Sequence, residues 1–129
     1  MTTITAADLS EQRPLRVLIS DPHLKGGGQV RYVIELARTL VTQGHHITVG
    51  CKTDSVLADM ARDAGAQVYN QFNYRGGARP ASWWNDIRAL QDFVRTERPD
   101  VLHANGSQDH WVSALANQLM GHTVCMVRS

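Results

Sequence analysis

Residues 15–51 read LRVLISDPHLKGGGQVRYVIELARTLVTQGHHITVGC, and this stretch decides the fold. An apolar strand pattern, Leu15–Ser20, is followed by three glycines and then by apolar residues at helical spacing. Gly44 ends the helix pattern, and a second strand pattern follows at His46–Cys51. A strand, a helix and a strand joined by short connections predict a βαβ unit with two parallel strands.

The same alternation continues to the end of the chain. Three more strands are predicted at Ala66–Asn70, Asp100–Ala104 and Thr123–Arg128. Three more helices are predicted between them: Ser55–Ala64, a helix that Ser82 caps and Pro99 ends, and Gln108–Met120. The segment Gln71–Ala81 has no periodicity and carries two glycines and a proline, so we predict a loop there.

This order of elements predicts a doubly wound, Rossmann-like α/β domain. We expect a parallel sheet of about five strands in the order 3-2-1-4-5, with helices on both faces. Residues 1–14 form a polar N-terminal lead-in, and residues 15–129 form the domain. The apolar fifth strand has no helix after it, so we expect the domain to be C-terminally incomplete.

Composition excludes several classes of function. The 129 residues are 43% hydrophobic and carry 13 Lys and Arg against 12 Asp and Glu, a balance that argues against nucleic-acid binding. Cys51 and Cys125 form no CxxC pair, which argues against a disulfide scaffold or a cysteine-rich zinc site. No segment reads as a membrane span or a signal peptide, so a cytoplasmic location is expected.

Ligands of doubly wound sheets bind beyond the carboxyl ends of the strands, and the glycine segment lies there. Glycines before a helix allow close backbone approach, and the helix N-terminus favours phosphate. Arg31 replaces the third glycine of a nicotinamide fingerprint, and no P-loop Gly-Lys-Ser/Thr follows. The alternative is a loop that only turns the chain.

A second cluster at that edge is VLHANGSQDHW, residues 101–111, which is dense in hydrogen-bonding groups. Alternatively, Ser107 or Asp109 caps a helix and His103 is a buried core residue. The six histidines form no convincing ligand set, so no metal is expected.

A third candidate is the loop with Arg75 and Arg79, which is flanked by aromatic residues. Arginines beside aromatics suit a phosphorylated or sugar-bearing ligand or a membrane headgroup surface. The alternative is that Trp83 and Trp84 anchor the following helix while both arginines are solvated.

Residues 26–49, GGGQVRYVIELARTLVTQGHHITV, and residues 98–111, RPDVLHANGSQDHW, together resemble the N-terminal domain of family 4 glycosyltransferases, which have the GT-B fold. The resemblance implies that a donor-diphosphate loop comprises Gly26, Gly27, Gly28, Gln29 and Arg31. It implies a catalytic position near the transferred sugar for His103 and Asn105, where Asn105 replaces a histidine common in the family. The acceptor side is then expected to include Arg75, Arg79, Ser107, Asp109 and His110.

The resemblance also implies an activity. The whole enzyme would be a retaining, metal-independent glycosyltransferase that moves a sugar from a nucleotide-diphosphate donor to a glycan or lipid-linked cell-envelope acceptor, such as lipopolysaccharide. No cofactor is expected besides this nucleotide-sugar co-substrate. The donor-binding C-terminal domain is missing, so this chain alone is expected to be inactive. Peripheral contact with the inner face of the membrane is a further expectation.

Other classes stay open as alternatives. The main one is a free-standing flavodoxin-like module that binds a nucleotide or phosphate without transferase activity. A response regulator is disfavoured because the third predicted strand runs into Asn70 and the fifth into Arg128, where an aspartate and a lysine are needed. A dehydrogenase domain is disfavoured by Arg31 and by the lack of an acidic residue ending the second strand.

Overall fold

The computed structural model describes residues 14–22, 28–52, 55–74, 80–121 and 124–128, the side chains of residues 80–82 and 107–108 excepted. The predicted lead-in therefore lies outside the described residues, except for Pro14. The same holds for four predicted site residues: Gly26, Gly27, Arg75 and Arg79.

Strands and helices alternate along the described chain as the sequence predicts. The elements are β1 (Arg16–Ser20), α1 (Gly28–Thr42), β2 (His46–Lys52), α2 (Leu57–Asp63), β3 (Gln67–Phe72), α3 (Pro80–Glu97), β4 (Val101–Ala104), α4 (Ser107–Leu119) and β5 (Cys125–Arg128). All strand pairs are parallel, and the order is β3-β2-β1-β4-β5. The predicted sheet is confirmed.

Two apolar cores cover the two faces of the sheet. Successive side chains of a strand point to opposite faces, so Val17 and Ile19 of β1 pack against α1 and α2, and Leu18 packs against α3 and α4. Burial on both faces explains why these strands read as continuous apolar runs rather than as alternating ones.

Glycines end three of the helices, as predicted. Gly44, Gly65 and Gly121 have φ angles of 92°, 91° and 80°, which glycine adopts without a steric penalty. The helix α3 ends differently, because Arg98 takes a φ of 49° just before Pro99. Proline disfavours a helical conformation in the residue before it, so the chain leaves the helix there.

Several predicted boundaries differ from the structure, and two of them border the predicted loop at Gln71–Ala81. The helix α3 begins at Pro80 rather than after a Ser82 cap, because proline is tolerated in the first turn, where no N–H is needed. The strand β3 runs to Phe72 instead of Asn70. The Phe72 ring packs over Gly50 of β2 so closely that a Cβ on Gly50 would lie 2.9 Å from Phe72 Cε2.

Substituting two of the helix-ending glycines separates backbone strain from crowding. Gly44→Ala is expected to lower the free energy of unfolding by about 1 kcal/mol, because alanine is strained at positive φ. Gly65→Ala is expected to cost more, because its Cβ would also lie 3.1 Å from Val41 Cγ1, whereas the space around Gly44 is open. Urea unfolding of both variants measures the difference, and equal losses would contradict this account.

The two cysteines differ in burial, so we expect their thiols to differ in reactivity. Cys51 is fully buried in the core, and Cys125 is exposed on β5. Burial raises the pKa of the Cys51 thiol from 9.0 to about 11, although the positive charge of Arg62 opposes the shift. The neutral thiol is therefore favoured by folding.

At about pH 8, iodoacetamide is expected to modify Cys125 and to spare Cys51 in the folded chain, as followed by mass spectrometry. Because the unfolded chain releases the thiol proton first, the stabilisation by the neutral thiol is present below pH 9 and lost as the pH rises to about 11. Cys51→Ala is the control and should lack this component of the decline. Rapid modification of Cys51 without unfolding is the contrary result.

Candidate functional site

The carboxyl ends of β1 and β4 meet at the middle of the sheet. The Asn105 N–H donates to the Ser20 carbonyl oxygen at 3.2 Å, and Asn105 Nδ2 donates to Asp21 Oδ2 at 3.2 Å. The chain leaves β1 toward α1 on one face and leaves β4 toward α4 on the other. This divergence is a topological switch point, where doubly wound sheets bind ligands.

The buried carboxylate of Asp109 organises this edge. Asp109 Oδ2 accepts the Ser20 hydroxyl at 2.8 Å and the Asn105 N–H at 2.9 Å, and Oδ1 accepts the Gly106 N–H at 2.9 Å. Asp109 is fully buried. It lies in the first turn of α4, where a negative charge also interacts favourably with the helix dipole.

A second buried carboxylate holds the neighbouring chain segment after β3. Asp86 of α3 accepts the Asn73 N–H at 2.7 Å and the Tyr74 N–H at 2.8 Å. Tyr74 is buried and stacks on Phe72 with 4.8 Å between ring centroids. Against the rise that burial causes, interaction with the Ser20 side chain lowers the pKa of Tyr74, so the tyrosine that Asp86 holds lies near the serine that Asp109 holds. We call the residues 20–22, 73–74 and 105–106 the carboxyl-end rim.

Burial dominates the protonation of this network. It raises the pKa of both Asp86 and Asp109, although hydrogen bonds from Asn73 and Tyr74 to Asp86, and from Ser20 to Asp109, favour the charged forms. Burial also raises the pKa of Tyr74, and the nearby carboxylates add to that shift. The Tyr74 hydroxyl therefore stays neutral in the pH range where proteins function.

Close packing makes Gly106 a steric requirement of the rim. A Cβ at this position would lie 2.8 Å from Cδ and Cγ of Pro22 and 3.0 Å from Asp109 Oδ1. Its φ of −129° is open to any residue, so the reason for glycine is space and not conformation. Pro22 and Gly106 thus bring the segments after β1 and β4 into contact.

The predicted catalytic residues lie at this edge. Asn105 is 6% exposed and belongs to the rim, and His103 is half-buried two residues earlier in β4. His103 pairs in register with Ile19 and Val127 and lies on the sheet face that α1 covers, because Val101 packs into that core. Burial lowers the pKa of His103, which favours the neutral ring.

The predicted donor-loop and acceptor residues differ in their exposure to solvent. Gln29 and Arg31 are exposed in the first turn of α1, directly after Gly28. His110 is half-buried and contacts Trp111 edge-on, and its buried Nδ1 has no hydrogen-bond partner among the described residues. Asp109 presents no surface to a ligand, so it shapes the rim instead of lining it. The Ser107 side chain lies outside the described residues.

Several residues of the network escape the sequence analysis. The sequence offers a signal for Asp86, because this residue stands beside Ile87 on the apolar face of α3, where a buried aspartate needs hydrogen-bond partners. Ser20 and Tyr74 gave no such signal. Their importance follows from contacts between strands that are distant in sequence.

The family follows from a match over most of the chain. The sequence profile of Glycosyltransferase Family 4 matches residues 26–127, which include α1, the rim residues 73–74 and 105–106, and β5 as far as Val127. The chain belongs to this family. No curated protein is similar enough in sequence to count as a match for this family 4 chain.

Solved structures share the fold at low sequence identity. A glycosyltransferase from Rickettsia africae is 18% identical with a TM-score of 0.75 and aligns over 91% of this chain and 30% of its own. MurG from Acinetobacter baumannii is 15% identical with a TM-score of 0.69 over 89% of this chain and 34% of its own. A UDP-N-acetylglucosamine 2-epimerase is 14% identical with a TM-score of 0.58 over 90% and 33%. The family 4 chain spans about a third of the length of these proteins.

Among the described residues, no helix is both long and apolar enough to cross a membrane. In the same part of the chain, no three histidine, cysteine or acidic side chains are grouped as a metal site.

Removing the Asp109 carboxylate tests its structural role. Asp109→Ala leaves the Ser20 hydroxyl and the Gly106 N–H without this acceptor, and leaves the Asn105 N–H with only the Ser20 carbonyl oxygen. Because hydrogen bonds to a charged group contribute about 1.5–3 kcal/mol each, we expect the free energy of unfolding to fall by about 3 kcal/mol or more.

Chemical denaturation measures this loss, and Asp59→Ala is the matched control. The Asp59 side chain is 92% exposed and lies 3.4 Å from Arg62, so its removal is expected to cost less than about 0.5 kcal/mol. Equal stability of the two variants would mean that the buried network does not hold the rim.

Proposed function

We propose that this chain is the acceptor-side, N-terminal domain of a glycosyltransferase of the GT-B type. The whole enzyme transfers a sugar from a nucleotide-diphosphate donor to a glycan or lipid-linked cell-envelope acceptor, with lipopolysaccharide as one such acceptor. The donor-binding domain lies outside this chain, as its span of about a third of the solved structures suggests. The domain acts in the cytoplasm, with peripheral contact at the inner face of the membrane.

One observation carries the proposal: the nearly buried Asn105 stands at the switch point of the sheet. Its backbone N–H donates to Asp109, and its side-chain amide donates to Asp21. A group held this way is preorganised, and holding reactants in place supplies much of the rate enhancement in group transfer. Membership of Glycosyltransferase Family 4 supports the reaction type.

The proposed roles divide around this position. The N-terminus of α1, with Gly28, Gln29 and Arg31, faces the donor diphosphate together with Gly26 and Gly27, because free N–H groups and the helix dipole attract phosphate. Asn105 and His103 lie near the transferred sugar, where an amide and a neutral imidazole form hydrogen bonds with hydroxyl groups. The proposed acceptor contacts are Arg75, Arg79, Ser107 and His110.

Binding of donors to the chain tests the proposal. Uniformly labelled chain is titrated with UDP-glucose, UDP-N-acetylglucosamine, GDP-mannose and NAD, and the backbone amides are followed by NMR. We expect a nucleotide sugar to move the amide signals of Gly28, Asn105 and Gly106, with weak affinity because the other wall of the cleft is outside this chain. If NAD alone moves these amide signals, the proposal is contradicted and a dinucleotide-binding module is favoured instead.

A matched pair of asparagine variants assigns the effect to the rim. Asn105→Ala is expected to weaken nucleotide-sugar binding at least about fivefold, because it removes one hydrogen-bonding group from the site. Asn85→Ala, on the exposed side of α3, should leave the affinity unchanged. The Gly28 amide reports binding in both variants, and equal affinities would contradict the role of Asn105.

A further inference from the structure

A groove lies at the end of the sheet opposite to the rim, between the sheet and the second half of α3. Two cavities of about 140 and 230 Å³ meet there. They share Thr48, Gln67, Phe93 and Glu97, so they form one continuous depression, which we call the amino-end groove. Each cavity alone is smaller than the roughly 300 Å³ at which small-molecule sites begin, and only the two together reach that size.

Two polar side chains of the sheet line this groove. Thr48 of β2 and Gln67 of the edge strand β3 are register partners and point to the same side, toward α3. Thr48 is half-buried and Gln67 is exposed. The next pair, Val49 and Val68, points to the other face and packs into the core there. The hydroxyl and the amide of the polar pair are therefore accessible from the groove.

The walls combine aromatic surface with hydroxyl groups. Phe93 of α3 and Tyr69 of β3 meet edge to face with 5.2 Å between ring centroids, and both line the larger cavity. Thr96 is exposed at the penultimate position of α3 and adds a hydroxyl beside them. Aromatic carbon surface next to groups that can both donate and accept hydrogen bonds is a common make-up of ligand sites.

The charges that border the groove are balanced. Glu97 pairs with Arg16 at 3.1 Å, and Asp92 pairs with Arg95 at 3.5 Å. His45 accepts the Leu15 N–H at its Nδ1, 3.0 Å away, which places the ring proton of the neutral form on Nε2 as a donor. With each carboxylate matched by a guanidinium, the groove has no excess positive charge to attract phosphate.

We propose that the amino-end groove binds a neutral, polyhydroxylated ring, that is, a sugar unit. The hydroxyl and amide groups of Thr48, Gln67 and Thr96 match hydroxyls that donate and accept, and the half-buried ring of Tyr69, backed by the buried Phe93, offers carbon surface to one face of a sugar. The site is separate from the rim because it lies at the first residues of the strands, whereas the rim follows their last residues. It goes beyond the proposed function and does not depend on it.

Titration of the labelled full chain tests this site. The probes are D-glucose, N-acetylglucosamine and inorganic phosphate, each taken to high millimolar concentration. We expect at least one of the two sugars to move the backbone amide signals of Gln67, Phe93 and Thr96 in a saturable way, while phosphate leaves these signals in place. If neither sugar moves them, or if phosphate does, the proposal is overturned.

Variants connect the signals to the groove. Thr48→Val keeps the shape of the side chain and removes its hydroxyl, so we expect sugar binding to weaken at least about fivefold. Gln67→Leu is a second variant with the same expectation, and the NMR spectrum of each shows whether it folds. Thr39→Val, on the exposed side of α1, is the control with unchanged affinity. Unchanged affinity in both groove variants would overturn the assignment.

The same spectra separate this proposal from the proposed function. The amides of Gly28, Asn105 and Gly106 report nucleotide-sugar binding at the rim, and those of Gln67, Phe93 and Thr96 report sugar binding at the groove. Movement of the rim signals by a free sugar, without movement of the groove signals, would overturn the groove site and leave the rim proposal standing.

Discussion

The arrangement of the rim depends on the buried carboxylate of Asp109. A charge in a protein interior is costly unless donors surround it, and here Ser20, Asn105 and Gly106 all point to the same two oxygens. Ser20 ends β1, whereas Asn105 and Gly106 are consecutive residues after β4. One side chain therefore fixes the relative position of β1, the segment after β4 and the first turn of α4.

A second buried carboxylate, that of Asp86, fixes the chain segment that follows β3. Asp86 holds the backbone after β3 through the N–H groups of Asn73 and Tyr74, and the buried Tyr74 brings that segment close to Ser20. Tyr74 has a φ of 44°, which is strained for a tyrosine, and the hydrogen bonds and ring stacking around it offset that strain. The proposed function calls for such rigidity, because a group-transfer site must hold hydroxyl groups within a fraction of an ångström. The two ends of the sheet thus differ: a buried polar network lies at the rim, and an open polar groove lies at the other end.

Most of the fold could be predicted from the sequence. Apolar runs such as Leu15–Ser20 predict strands buried on both faces, and the glycines at positions 44, 65 and 121 mark helix ends by a local conformational preference. The rim position of Asn105 also followed, because the carboxyl ends of parallel strands always share an edge. The contacts of Asp86, Tyr74 and Ser20 could not be predicted, since no local pattern specifies which distant donor meets a buried carboxylate.

The alternation of strands and helices along the chain, the helix-ending glycines and the family resemblance can all be read from the sequence by itself. The strands, helices and helix ends have a local physical reason, because hydrophobic periodicity and backbone preference act over a few residues at a time. The tertiary structure alone decided that Asp109 is an internal support and not a surface group, that Gly106 is required by its contact with Pro22, and that α3 leaves a groove above Thr48 and Gln67. These outcomes depend on which segments pack together, and that packing is set by the whole chain.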